Sequence, residues 1–339
     1  MSKIIIGIHG LGNKPSKNDL EEWWFKAICE GLKKIDRFKF EPNFELVYWA
    51  DILNDKPLNK LITDPKNPYF LDEPYSKSAK IIDSKPHTTR QKFLGFLEGQ
   101  MDKLFLNDDL SSNFEFISDI VFKKYFKELE IYYARKPEIN DASYKSVKDI
   151  IRNRLAEKIQ SHKSKEIILV AHSMGSIIAY DVSNFLVPQI NIDTFVTMGS
   201  PLGIPIIISK IAQEFKVLNP EISKLTTPQN VKGGWYNYSD IEDNIALNYN
   251  LGDDFEVNSS NIKVIDTIIK NDYAINGERN PHKSYGYLRA PEFSNLLADF
   301  LEKDCSKPNL WYLEKSYLFN NWMKKLFYRF SNREGEKSE

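Results

Sequence analysis

The run Glu166-Ile167-Ile168-Leu169-Val170-Ala171-His172-Ser173-Met174-Gly175 decides the fold of this chain. Its apolar first half reads as a buried strand. It stops at small-x-Ser-x-Gly and passes straight into the helical pattern Ser176-Ile177-Ile178-Ala179-Tyr180-Asp181-Val182-Ser183-Asn184-Phe185-Leu186. A turn this tight needs small residues two before and two after the serine, and the hydroxyl then stands clear of the backbone at the top of a sheet. The five-residue pattern alone is weak, since chance supplies on the order of 0.1 such matches in a chain of this composition. The order strand, turn, helix gives it weight.

The beginning of the chain adds a second piece. Ile4-Ile5-Ile6-Gly7-Ile8 is a short β-branched strand that runs into His9-Gly10-Leu11-Gly12-Asn13. A strand followed by His-Gly-x-Gly resembles the oxyanion loop of lipases and esterases of the α/β-hydrolase superfamily. The resemblance implies Ser173 as nucleophile and the backbone N–H groups of Leu11 and Met174 as oxyanion donors. Glycines on both sides of Leu11 let the backbone approach a substrate closely. It also implies the chain order serine, acid, histidine. Of the five histidines, only His282 follows Ser173 with room for an acid between them, in the loop Asn280-Pro281-His282-Lys283-Ser284-Tyr285. The acid falls in Ser239-Asp240-Ile241-Glu242-Asp243-Asn244-Ile245-Ala246, after the strand-like Gly234–Tyr238. Asp243, with Asn244-Ile245-Ala246 after it, is the closer match to the family pattern, and Asp240 and Glu242 are near enough to compete.

The residue types suit the chemistry. A neutral serine is a poor nucleophile until an imidazole takes its proton, and a buried carboxylate holds that imidazole in the right tautomer. The remaining histidines read as structural: His9 braces the oxyanion loop, His172 points away from the site by strand alternation, and His87 and His162 are solvated. Asp181, a turn or more down the helix from Ser173, also reads as structural. No metal-ligand spacing occurs, and the resemblance calls for no cofactor.

Composition narrows the class. The 339 residues carry 46 basic and 47 acidic side chains, so nothing attracts nucleic acid overall, and no basic stripe or aromatic RNA-binding pattern is present. Two cysteines, Cys29 and Cys305, argue against a disulfide framework and suit a reducing cytosol. Met1-Ser2-Lys3 leads directly into a core strand, so no signal peptide is expected. No run approaches the length of a membrane span. The expected location is cytoplasmic, with membrane association through the tail as an open variant.

Strands alternate with helices, which calls for a mostly parallel six-stranded sheet covered on both faces, the α/β-hydrolase-type three-layer fold. Residues 1–50 and 144–303 form this core, with helices near 19–35, 144–160, 174–187 and 291–303. An insertion over 51–143 interrupts it. Pro57, Pro65, Pro68, Pro74 and Pro86 mark its irregular first half, and amphipathic helical patterns follow near 90–106 and 114–134. It reads as a helical cap or lid shaping an acyl pocket, against a flap packed far from the site. In 307–330, Leu318, Trp322, Leu326 and Phe330 recur every four residues beside Lys315, Lys324, Lys325 and Arg329. Such a stripe can dock on the core or on a second subunit, or lie on an anionic membrane. Residues 331–339 read as a disordered tail.

The expected activity is hydrolysis of a carboxylic ester through an acyl-enzyme on Ser173. Leu202, Ile204 and Ile206 hint at an acyl or lipid-like substrate. A thioesterase or acyltransferase with the same triad, a membrane-surface phospholipase, and a non-catalytic binding protein on the same fold are the alternatives.

Overall fold

Six short apolar segments pair side by side into one sheet: β1 (Lys3–Ile8), β2 (Phe44–Val47), β3 (Glu166–His172), β4 (Ile192–Met198), β5 (Val231–Asp240) and β6 (Val264–Ile269). The structure is a computed structural model that describes residues 2–78, 129, 131–133, 146–246, 248–303 and 315. The strands lie in the order β2-β1-β3-β4-β5-β6, and every neighbouring pair is parallel. Parallel neighbours require crossovers; from β5 to β6 the described residues hold only the one-turn helix Leu251–Asp254, and longer α-helices supply the other four. These are α1 (Lys17–Lys34), α2 (Val147–Ser161), α3 (Gly175–Phe185) and α4 (Pro205–Leu218). Two further helices, α5 (Ser284–Leu288) and α6 (Pro291–Glu302), end the described core. The result is the expected α/β-hydrolase-type architecture.

Strand alternation splits the core into two apolar layers. Ile4, Ile6 and Ile8 of β1 and Ile167, Leu169 and Ala171 of β3 pack towards α2, α3 and α4. The intervening Ile5, Ile168 and Val170 pack with Trp24 and Ile28 of α1 and Phe293 and Leu297 of α6. A strand buried on both sides must be apolar throughout, which is why β3 shows no polar alternation. Local signals start the helices. Ser16 caps α1 by accepting from Asp19 N at 3.2 Å, and Ser146 and Asp149 form a reciprocal capping box at α2. Pro205 and Pro291 sit in the first turns of α4 and α6, where a missing N–H costs nothing.

Helix α4 is absent from the sequence reading above. Ile206-Ile207-Ile208 is a β-branched run without helical punctuation. The parallel step from β4 to β5 overrides that local preference, because it needs a covering helix. Strand β5 also runs on through Ser239 and Asp240, which the sequence reading gave to the following loop.

Of the 51–143 insertion, the described parts are Ala50–Ile52, a 3-10 turn, an irregular stretch to Ser78, and helical residues around Ile131–Tyr133. The helical patterns expected near 90–106 and 114–134 otherwise lie outside the described residues, as do 307–330 apart from Lys315, and 331–339. Among the described residues no helix is long and apolar enough to cross a membrane.

Tyr132 ties the insertion to the core through a buried polar cluster. Its hydroxyl donates to Asp181 Oδ2 at 2.7 Å and accepts from Arg152 Nε at 3.0 Å. Arg152 also pairs with Asp181, and makes a two-pronged pair with Glu214 at 2.6 and 2.9 Å. Thus α2, α3, α4 and the insertion meet at one guanidinium. Removing one partner of such a pair strands the other charge in the interior. Arg152→Met should therefore destabilise the protein by about 3–5 kcal/mol in urea unfolding, and Arg152→Met combined with Asp181→Leu should recover most of the loss.

Candidate active site

The sheet reverses its winding direction between β1 and β3, and ligands of open α/β sheets bind beyond the strand carboxyl ends at such a point. The register brings four strand ends level there: Ile8 pairs with Ala171, His172 with Met198, and Met198 with Tyr238. The loops that leave this edge carry His9 to Lys14, Ser173, Gly199 and Asp243.

Ser173 takes a left-handed backbone, with φ of +55°. For a residue with a β-carbon this costs about 1–3 kcal/mol and persists only where the surroundings enforce it. Ser173 N donates to Met198 O at 2.9 Å, and Ser176 N closes the turn on Ser173 O at 2.9 Å. Gly175 lets the turn press on β1, since a β-carbon there would stand 2.6 Å from Ile8 O. Met174 follows as the first residue of α3's entry.

Three side chains then form a line. Ser173 Oγ lies 3.0 Å from His282 Nε2, and His282 Nδ1 lies 2.8 and 3.0 Å from the two oxygens of Asp243. With the proton on Nδ1, the imidazole donates to Asp243 and accepts from the serine hydroxyl. Asp243 Oδ1 also accepts from Ile245 N at 2.9 Å and Ala246 N at 3.4 Å, and Oδ2 accepts from the Tyr287 hydroxyl at 2.8 Å. The carboxylate is buried, and these donors replace its water.

The competing acids are placed elsewhere. Asp240 accepts from Glu242 N at 2.8 Å and Asn271 N at 2.6 Å, and pairs with Arg279. Burial pushes its carboxyl above the ordinary carboxylate value. Glu242 pairs with the same guanidinium. Arg279 sits three residues before His282, and Asp240 three before Asp243, so one ion pair clips together the two loops that the other two residues occupy.

The His9–Asn13 loop is braced by His9, as its sequence suggests. Trp49 N donates to His9 Nε2 at 3.0 Å, so the ring proton sits on Nδ1 and donates to Gly10 O at 2.8 Å. Trp49 Nε1 donates to His9 O at 2.9 Å, and the two rings stack at 4.9 Å. Because a trans peptide places N–H opposite C=O, pinning Gly10 O to His9 turns the Leu11 N–H to the other side. Among the described residues neither Leu11 N–H nor Met174 N–H has a hydrogen-bond acceptor. Burial, reinforced by the Lys14 charge, lowers the His9 pKa to about 3.

His172 departs from expectation. Instead of pointing away, its ring lies 4.8 Å from that of His282, and its Nε2–H donates to His282 O at 2.7 Å. Alternation does put His172 on the face of Ile168 and Val170, beside Trp24 and Tyr287, but the His282 loop comes to that same face. Burial holds His172 well below its usual pKa, so it props the His282 loop as a neutral ring. Glu73, from the insertion, holds the other side, accepting from Asn280 and, at 2.8 Å, from Lys283. No sequence signal marks Glu73, Arg279 or Tyr287, since each works through partners distant in the chain.

A cavity of about 190 Å³ opens over Ser173, walled by Gly10, Leu11, Lys14, Glu73, His282 and Lys283 among others. Leu202, Ile204 and Ile206 belong to the apolar core instead, so they give no support to an acyl-chain pocket. Among the described residues no group of His, Cys, Asp and Glu could hold a metal ion.

No protein-family model matches this chain, and no curated protein matches it. Among solved structures, it is similar to a lipase-esterase related protein from Clostridium acetobutylicum ATCC 824. The alignment covers 89% of this chain and 93% of the other, at 10% identity and a TM-score of 0.26. A likeness that low carries no argument about fold, activity or site.

Two outcomes test this geometry. Gly199 has φ of +53°, and a β-carbon on it would stand 2.7 Å from Asp243 Oδ2 and 3.2 Å from His282 Nδ1. Gly199→Ala should therefore push the two apart, abolishing the low-field proton resonance of the His282 Nδ1–H in NMR. The second concerns pH. His9 and His172 both have folded pKa values below the unfolded 6.5, so the unfolded chain binds more protons below that pH. The stability they support is complete above pH 6.5 and falls with acidification, by about 1.4 kcal/mol per pH unit for each. Urea unfolding from pH 7 to 5 should show this slope, and His9→Asn should reduce it.

Proposed function

We propose that this chain is a serine hydrolase that cleaves a carboxylic ester through an acyl-enzyme on Ser173. The observation that carries this reading is the unbroken hydrogen-bonded line from Ser173 Oγ through His282 to buried Asp243.

In the first step Ser173 Oγ attacks the ester carbonyl carbon while its proton passes to His282 Nε2. Asp243 stabilises the imidazolium through the Nδ1–H it already accepts. The carbonyl oxygen becomes an oxyanion between the N–H groups of Leu11 and Met174, and each such donor contributes about 2.7–4 kcal/mol of barrier lowering. Collapse of the intermediate breaks the bond to the alcohol oxygen, which leaves with the proton from His282. Water then enters, gives its proton to His282 and attacks the acyl carbon. A second collapse releases the carboxylic acid and returns the proton to Ser173.

The cavity favours a short acyl group over a long chain. It is smaller than the roughly 300–1,000 Å³ typical of drug-sized ligands, and its wall carries Lys14, Glu73 and Lys283. Glu73 makes the insertion a part of the site, so this segment shapes which substrates enter.

Labelling with a fluorophosphonate probe tests the reading. The wild-type protein should label and Ser173→Ala should not. Among p-nitrophenyl esters, acetate and propionate should turn over faster than octanoate or longer. An unlabelled wild-type protein, with or without detergent, would move the chain to a binding role on a hydrolase fold.

A further inference from the structure

The hydroxyl of Tyr287 stands where the acid of the proposed site is set, and nothing in the reaction above uses it. The side chain is fully buried on α5. Its oxygen accepts from Asp240 N at 2.9 Å, and it lies 2.8 Å from Asp243 Oδ2. The directions of these two bonds are forced. An amide N–H can only donate, so the hydroxyl accepts there, and its single proton is left for the carboxylate. Asp243 Oδ2 is also the oxygen closer to His282 Nδ1, at 2.8 Å against 3.0 Å for Oδ1. One carboxylate oxygen therefore takes both the imidazole N–H and the phenol O–H.

We propose that Tyr287 is a positioning residue of the hydrolytic reaction, whose hydroxyl fixes Asp243 Oδ2 and shares its charge with His282. This rests on the hydrolase reading above. The physical effect has two parts. The phenol holds the carboxylate in the plane that meets the imidazole, which Ile245 N and Ala246 N alone secure only through Oδ1. It also withdraws charge from Oδ2, which weakens the pull on the imidazolium and keeps the base from becoming too strong to release its proton. Burial holds the Tyr287 hydroxyl well above its ordinary pKa, so it stays a donor throughout the working range.

Several other ionisable groups lie near this pair, Lys14 of the cavity wall among them. Asp240 and Glu242 are matched by Arg279. Glu73 is matched by Lys283. His172, whose ring lies 6.1 Å from that of Tyr287, is kept neutral by burial. None of these donates to Asp243, so a change at Tyr287 is read by the His282–Asp243 pair directly.

The test uses the full chain as wild type, Tyr287→Phe, and a form with 3-fluorotyrosine at position 287. The fluorinated phenol keeps the hydroxyl and the shape but donates more strongly, which guards against a folding defect in the phenylalanine variant. With p-nitrophenyl acetate, Tyr287→Phe should lower kcat about tenfold with KM within about twofold, as expected for a lost hydrogen bond to a charged group. Its acid limb should move to higher pH, because the bare carboxylate holds the imidazolium more tightly. The fluorotyrosine form should move the limb to lower pH. Titration of the His282 imidazole by NMR should follow the same order without any substrate. Wild-type kcat and an unmoved limb in both variants, whatever their melting temperatures, would reduce Tyr287 to packing and overturn the proposal. If Ser173 takes no fluorophosphonate, the hydrolase reading falls instead. The imidazole titrations then still report on Tyr287, and identical curves in all three proteins would overturn its role on their own.

Discussion

Everything at this site depends on the parallel register that brings the ends of β1, β3, β4 and β5 level. The loops after these strands start from one row, and the His282 loop, which follows β6, comes to meet them. Ser173 and His282 meet across 109 residues at 3.0 Å. A one-residue slip of any strand would turn its side chains to the opposite face. Ile5, Ile168 and Val170 on one layer and Ile6, Leu169 and Ala171 on the other oppose such a slip, because each set fits a different helical cover.

The core also carries what the site costs. Ser173 sits in a strained backbone region, and His9, His172 and Asp243 are buried polar groups. None is left to the apolar medium alone. The strain is held by Met198 O and by the contact of Gly175 with β1. His9 satisfies both ring nitrogens, and Asp243 collects donors from two backbone amides, an imidazole and a phenol. Such groups are expensive only when unpaired, and pairing them fixes their geometry as well.

What was legible in the sequence follows from how local each signal is. The Ser173 turn, the His9 loop and the six strands were readable because each is encoded in under ten consecutive residues: an apolar run, then small residues where the backbone bends. Chain order within the resemblance pointed to His282, which the structure brings to Ser173, and Asp243 could be favoured but not separated from Asp240. The carboxyl groups of Asp240 and Asp243 are distinguished by which loop faces them, and Arg279 and Tyr287, the residues that decide it, approach from 39 and 44 positions away. Helix α4 was hidden because a triple isoleucine carries no helical preference, whereas the sheet's topology demands one. Leu202, Ile204 and Ile206, read as a hint of an acyl or lipid-like substrate, are core residues, which an apolar stretch alone cannot distinguish from a lining.

The acid and base loops are joined by more than the pair that would do chemistry. Arg279–Asp240 lies three residues upstream of His282–Asp243 on both loops, and Tyr287 spans Asp240 N and Asp243 Oδ2. The loop that carries the acid is therefore held at its root by an ion pair and at its tip by a phenol, with the imidazole between. Opposite, His172 and Glu73 hold the base loop at His282 O and at Asn280 and Lys283. A base that must accept a proton from Ser173 and return it cannot swing far between the two events. These contacts hold the His282 ring with Nε2 facing Ser173, the one direction the proposed cycle needs open.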